Sequence, residues 1–215
     1  EEHIFGTKLD KCILKNIVDI CAEAIEEHSE VLEQSEIMIN TLFIEQLFVD
    51  SSKANWPVLS HRVKHGTEQR VLSPTIKAIV LRHIIELAGL EADIVYVPEK
   101  VMVRIICDDV YTIIFDPISG ESLNWQELDD RMAELGGDPS QVYLSTMDKR
   151  SVILKHLTSL KTALIREQVF DKALICVDLL IALRPEDPFQ RRDRGYLLHQ
   201  LDCFKVAYDD YQYFV

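Results

Sequence analysis

The chain has 215 residues, 47% of them apolar and 27% charged, with a formal net charge of -13. That size and balance suit one or two soluble globular domains with a real hydrophobic core and exclude a disordered chain. The acidic excess argues against a nucleic-acid or membrane surface, since both attract clustered Lys and Arg. The richest apolar run, Ala78 to Leu90, is interrupted by Arg82, His83 and Glu86 and does not read as a bilayer span.

The five cysteines, Cys12, Cys21, Cys107, Cys176 and Cys203, are scattered, odd in number and without a C-x-x-C pair. They read as reduced thiols of a cytoplasmic protein, not as a disulfide framework or a zinc site. No signal peptide is legible at the N-terminus; the chain starts with Glu rather than Met, which leaves a removed segment open. No metal or other cofactor is expected.

In chain order, the first 50 residues are expected to be helical. Ile13, Ile17, Ile20, Cys21, Ala24 and Ile25 recur at three- and four-residue spacing, with Glu26, Glu30 and Glu33 on a solvated face. Ile37 to Val49 suits a second helix whose aromatic and β-branched end is ambiguous. Ser51 to Arg70 reads as loops around a short helix near Val58 to Val63, with Gly66 ending it. His61 and His65 stand at i and i+4, a spacing that can chelate a metal. Without an H-E-x-x-H arrangement, solvent-exposed histidines are the expectation.

The clearest helix covers 73 to 88. Ser73 is placed to cap it, Pro74 suits the first turn and Gly89 the C-terminal end. Ile76, Ile79, Val80, His83, Ile84 and Leu87 form the expected buried stripe. Asp93 to Tyr96 and Val101 to Cys107 read as strands, with Pro98 at a turn or edge. Asp108-Asp109 turns the chain into a third strand, Val110 to Phe115, which ends on Asp116-Pro117. A short helix after Leu123 and a G-G-D-P-S loop lead to a domain boundary near 148.

From Lys149 onward the chain repeats with a period of 34. Leu164 pairs with Leu198, Phe170 with Phe204 and Ala173 with Ala207, and Asp187-Pro188 separates the copies. Period and phasing match the tetratricopeptide pattern of helical hairpins, with the alanines small because two helices cross closely there. Two repeats are few for independent stability, so packing on the N-terminal domain is expected to cover their open face. Arg184, Arg191, Arg192 and Arg194 make the one basic cluster in the chain. They suit capture of a partner's carboxylates; the alternative is pairing in place with Glu186, Asp187, Asp193 and Asp202.

The order of elements and several motifs resemble the SirB family of bacterial proteins, a transglutaminase-like domain followed by tetratricopeptide repeats. The resemblance covers roughly residues 10 to 215 and is most specific in D-P-F-Q-R-R-D-R-G-Y-L-L-H-Q-L, Asp187 to Leu201. S-P-T-I with G-L after the helix, V-P-E-K-V-M-V-R and F-D-P-I-S-G-E are similar to the family's G-x-P-[I/V]-S-L, F-P-G-H-F-L-V-R and I-D-P-F-x-G-G. The resemblance implies an α+β fold: N-terminal helices and a papain-like core with a small antiparallel sheet over 1–148, then a helical repeat unit over 149–215.

Transglutaminase-like chemistry needs a Cys nucleophile at a helix start, a His base and an Asp or Asn to orient it. Counted from the motifs, the nucleophile position falls on Ile76, the His position on Lys100 and the third on Asp116. Ile76 has no nucleophilic atom, and a lysine is charged and a poor base near neutral pH. The expectation is therefore a catalytically degenerate, regulatory or protein-interaction module with a protein or peptide partner and possible self-association. Lys100 and Asp116 are expected to form a salt bridge in the former site. The alternative is a hydrolase or acyltransferase with its nucleophile relocated to Ser73, Thr75 or Cys107.

Overall fold

Segments rich in Val and Ile form an antiparallel sheet of three strands in sequence order, β1 (Glu91–Val97), β2 (Lys100–Ile106) and β3 (Thr112–Phe115). The structure is a computed structural model that describes residues 1–8, 10, 12–97, 100–109, 111–123 and 146–214. Contacts divide the chain into two compact units. One comprises Asp10–Ala54 and Val63–Asp148, the other Glu1–Leu9, Asn55–Arg62 and Lys149–Val215.

In the sheet unit, β1 and β2 pair along their whole length, with Asp93 directly opposite Arg104. The arginine grips both carboxylate oxygens, at 2.9 and 2.5 Å, and the Thr146 hydroxyl joins the pair. Helices α2 (Lys15–Glu26) and α3 (Val31–Asn40) precede the sheet, and α3 runs into a π-helical turn, Thr41–Glu45. The chain turns extended by Phe48, so the second expected helix stops before Val49. Buried Ile17, Cys21 and Ile25 carry the 3.6-residue period of α2.

Helix α5 (Pro74–Leu87) packs on the sheet and on α2. Its end is a Schellman motif: the Gly89 N–H donates to the Glu86 carbonyl and the Leu90 N–H to the Ile85 carbonyl, with Gly89 at φ +106°. Ser73 occupies the N-cap position, but its side chain makes no capping hydrogen bond. Ile76, Val80 and Ile84 are buried as the stripe requires. His83 and Leu87 are instead exposed, and Lys77, Ala78, Leu81 and Ile85 are buried in their place. A helix held between a sheet and another helix buries a broader arc than an amphipathic stripe describes, and the arc is centred elsewhere.

The histidine spacing dissolves in the fold. His61 ends a 3-10 turn, Val58–His61, and belongs to the other unit, while His65 lies in α4 (Val63–Gln69). His61 is buried at 3% exposure, contrary to the solvent-exposed expectation. Gly66 does not end a helix but sits within α4, where a Cβ would come 2.3 Å from Leu72. The expected helix after Leu123 and the G-G-D-P-S loop lie outside the described residues.

The second unit is built from two helical hairpins, α6 (Lys149–Arg166) with α7 (Phe170–Leu183) and α8 (Pro188–Gln200) with α9 (Phe204–Phe214). The 34-residue period extends to the turns themselves. Gln168 and Asp202, 34 apart, both take φ +59°, and the Val169 and Cys203 N–H groups donate to the Leu164 and Leu198 carbonyls at 2.9 and 2.8 Å. Ala173 and Ala207 are buried at the matching positions. Asp187 caps α8 by accepting from the Phe189 N–H, and Pro188 takes the first turn.

Two short N-terminal segments complete this core. Ile4 of α1 (Glu2–Phe5) and Val58 join Leu160, Leu164, Val177 and Leu197 in one apolar cluster. The Val58 N–H donates to Glu167, Arg166 donates to the Trp56 carbonyl, and Phe5 is flanked by Arg62 and Lys172. The pair of hairpins thus gains apolar cover from residues far away in sequence.

His61 and His156 meet in this unit with ring centroids 6.0 Å apart, and the His156 Nδ1 is buried without a hydrogen bond among the described residues. Burial pushes His61 down to about 4, helped by Arg166. Burial, aided by His61 and the N-terminal ammonium, pushes His156 down to about 3. The unfolded chain therefore binds more protons below about pH 6.5, and stability falls as the pH drops from there toward 4. Amide exchange across 149–166 should show protection falling by roughly 1–2 kcal/mol per histidine between pH 7 and pH 5. His156→Leu should flatten that dependence, and an unchanged slope would show that the histidine is not its source.

Candidate functional site

Of the three motif positions, Lys100 at the start of β2 and Asp116 just after β3 are in contact, while Ile76 stands in the first turns of α5. Asp116 follows β3 and is held on all sides. Its N–H donates to the Glu121 carbonyl, its carbonyl accepts from Gly120, and its Oδ1 accepts from the Ile118 N–H at 2.7 Å. Its Oδ2 lies 3.4 Å from Nζ of Lys100, the first residue of β2. Sequence and structure agree on this pairing, although the lysine side chain is half exposed and the contact is long. Ile76 is buried in the first turns of α5 and presents only hydrocarbon.

The residue that sequence reading missed is the next one. Lys77 is completely buried, and its Nζ donates to the Ile118 carbonyl at 3.3 Å and lies 5.7 Å from the Phe43 ring centre. Burial pushes its ammonium down to about 8, against the opposing pull of Asp50 and Asp116 and with a small push from Lys53. The same Ile118 carbonyl accepts from the Asp50 N–H at 2.9 Å. Burial alone would raise the Asp50 carboxyl, but Lys53 at 2.9 Å and the Ser51 N–H more than offset that and hold it low. The expected stripe through Ile76, Val80 and Ile84 leaves Lys77 off the core face of the helix, and no local pattern marks it as buried.

Of the candidate replacement nucleophiles, Ser73 and Thr75 are buried beside this cluster. Cys107 is half-buried, with its Sγ 3.6 Å from the Ser35 hydroxyl. Three described histidines belong to this unit: His28 pairs with Glu33 at 3.1 Å, His65 lies in α4, and His83 is exposed on α5. Among the described residues no group of three or more His, Cys, Asp or Glu is placed to hold a metal ion.

In the repeat unit the basic cluster is partly spent on internal pairing, with partners other than most of those expected. Arg194 takes both oxygens of buried Asp210 at 2.6 Å and reaches Asp178 at 3.4 Å, contacts that raise its guanidinium pKa further. Arg191 lies 3.5 Å from Asp210 and over the Tyr213 ring. Arg192 pairs with Asp193 at 2.7 Å and lies over the rings of Phe189 and Phe214, which also contact each other. Arg184 and Arg192 are the exposed members. Asp193 also receives Lys161, only 6% exposed, across from α6 at 2.6 Å.

Comparison with known proteins fits this architecture. The family model for the transglutaminase-like superfamily matches residues 11–158, and a tetratricopeptide repeat model matches 160–215. Protein SirB1 of Salmonella typhimurium is 28% identical over 94% of this chain and 76% of its own length. The UPF0162 protein of Vibrio cholerae is 35% identical over 48% of this chain, and UPF0162 protein YchA of Escherichia coli 35% over 55%. The matched stretch spans only 39% and 45% of those two relatives. No solved structure matches the chain significantly.

Two measurements probe this cluster. Because Lys77 titrates lower folded than unfolded, the unfolded chain binds more protons between about pH 8 and 10.5, and the penalty for burying the charge is relieved as pH rises through that window. Urea melts should therefore show wild type gaining roughly 1–2 kcal/mol on Lys77→Met between pH 7.5 and 9.5. A parallel pH dependence in both proteins would refute the assignment. For the exposed pair, a double-mutant cycle of Lys100→Met and Asp116→Asn should return a coupling of about 0.2–1 kcal/mol, whereas strict additivity would mean no interaction.

Proposed function

The chain belongs to the transglutaminase-like superfamily, and from that premise we propose that it is a catalytically degenerate member that works as a protein-interaction or regulatory module. The observation that carries this reading is the side chain at the nucleophile position: Ile76 is buried hydrocarbon, and the neighbouring position of the base holds Lys100, engaged with Asp116. An acyl transfer needs a thiolate or alkoxide and a base to generate it. A buried alkyl group and an ion-paired ammonium supply neither.

On this reading the division of labour follows the expected domains, 1–148 as the degenerate scaffold, apart from residues 1–9 and 55–62, which pack with the repeats, and 149–215 as the partner-binding repeats. Tetratricopeptide hairpins recognise peptides along exposed helix faces. Arg184 and Arg192 are the arginines best exposed for a partner's carboxylates, while Arg191 and Arg194 hold the hairpin in shape through Asp210. A cytoplasmic location accords with the thiols, and among the described residues no helix is long and apolar enough to cross a membrane.

The test is active-site labelling of the folded chain with a fluorophosphonate and with iodoacetamide. The expected result is no stoichiometric, fold-dependent adduct at Ser73, Thr75 or Cys107, and only slow alkylation of exposed Cys12 and Cys203. Rapid modification of one of the three, abolished by denaturation, would establish a relocated nucleophile and a hydrolase or acyltransferase instead.

A further inference from the structure

The pair of hairpins has two ends, and the chain covers one of them itself. Phe170, Leu174 and Asp178 stand at intervals of four and share one face of α7. That face carries the joint with the second hairpin: Phe170 meets Tyr196 of α8 edge-on at 6.3 Å, and Asp178 lies 3.4 Å from Arg194. On the opposite side of α7, Lys172 lies over the Phe5 ring of α1, and the Val58–His61 turn packs on α6. The first hairpin is thereby joined to α8 on one side and sealed by α1 and residues 58–61 on the other.

The period of 34 carries the joint face of α7 onto α9, where Phe170, Leu174 and Asp178 become Phe204, Tyr208 and Gln212. Here the rings are open to solvent, Phe204 at 55% exposure and Tyr208 at 60%. The His199 ring lies edge-on to Phe204, and the Gln212 amide donates to the Tyr208 hydroxyl at 2.9 Å, so the stripe is held in shape without being covered. Two aromatic rings left open where the same molecule elsewhere builds a helix–helix joint mark an interface.

Three observations select what meets it. A third hairpin of the same kind is disfavoured by the last position of the stripe, because the arginine of another R-D-R-G helix would meet the Gln212 amide where Arg194 meets the Asp178 carboxylate. A second copy added head to tail is blocked by α1 and residues 58–61, which occupy the outer side of the first hairpin. Two copies are left with the same end in common, and contact of like with like closes on a two-fold axis. The charges agree with that symmetry. Lys205 and Asp209, both exposed, lie on one flank of the stripe, and antiparallel crossing of two such helices near Tyr208 brings the lysine of each copy toward the aspartate of the other.

We propose that the chain self-associates through α9 as a closed two-fold dimer, with the Phe204, Tyr208 and Gln212 stripe of one copy packed antiparallel on that of a second. Tyr208 lies at the axis, Phe204 of each copy lies toward Gln212 of the other, and Lys205 pairs with Asp209 across the joint. One helix pair makes a small interface, so the association is weak and depends on concentration. The assignment is independent of whether the transglutaminase-like unit retains chemistry.

Sedimentation equilibrium of the full chain over about a hundredfold range of concentration should follow a monomer–dimer equilibrium and stop at the dimer. Tyr208→Lys should raise the dissociation constant at least tenfold, whereas Val206→Lys, at an exposed apolar position on the other side of α9, should leave it unchanged. Lys205→Glu and Asp209→Lys should each weaken the dimer several-fold, and the two together should restore it. Urea melts establish that each variant folds. A monomer at every concentration would overturn the proposal and leave the face to a different protein. Growth beyond the dimer, or equal effects of Tyr208→Lys and Val206→Lys, would also overturn it. Failure of the charge swap to restore association would refute the antiparallel pairing.

Discussion

An ammonium with no exposed surface has to be answered by the protein around it, and Lys77 is answered from three directions. It stands in the first turns of α5, reaches the Ile118 carbonyl just past Asp116, and lies in the field of Asp50 on the segment that follows the π-helical turn. The Asp50 N–H shares the Ile118 carbonyl. One carbonyl therefore joins the helix, the Asp50 segment and the turn after β3, and the placement of Asp116 follows from it. The desolvation of a lone ammonium is large enough that few arrangements are tolerated, and this one is held by carboxylates on two loops plus an aromatic face. Phe43 belongs to the same anchor, with Lys77 over one part of its ring and Gly120 against another.

The repeat unit uses the same physics with better-paired charges. Lys161 and Asp210 are nearly sequestered from water, and each is met by a partner from the R-D-R-G run of α8: Asp193 takes the lysine of α6, and Arg194 clamps the aspartate of α9. Gly195, next in line, leaves room for the ring of Tyr211 and the Ala207 carbonyl. The motif thus reads as a connector that pins α8 to the helices on both sides. Buried pairs of this kind add little net energy over apolar replacements, yet losing one partner is strongly destabilising, so they enforce one register between hairpins.

Much of the fold was legible in the residues. The period of 34, the alanine positions, the Asp-Pro start of α8, the three antiparallel strands and the Gly89 stop of α5 are local rules, decided by side-chain volume, ring constraint and backbone φ within a few residues. The pairing of Lys100 with Asp116 was also within reach, because β2 and β3 are adjacent and motif spacing places both near the same end. The internal arginine pairs were foreseen as a type but assigned to sequence neighbours, whereas two of the partners are 16 residues away along neighbouring helices. His61 and His65 show the same failure: a spacing of four has meaning only when both residues share a helix, and here they do not even share a compact unit.

What the residues determined alone, then, is periodicity, helix stops and turn chemistry, because each depends on a side chain and its immediate chain neighbours. What only the tertiary structure decided is which polar groups are buried together: Lys77 beneath the Asp116 turn, His61 against His156, and residues 55–62 and α1 completing the core of the repeats. The physical reason is that desolvation depends on everything packed around a group, including segments 40 to 160 residues distant in sequence, and no local pattern carries that information.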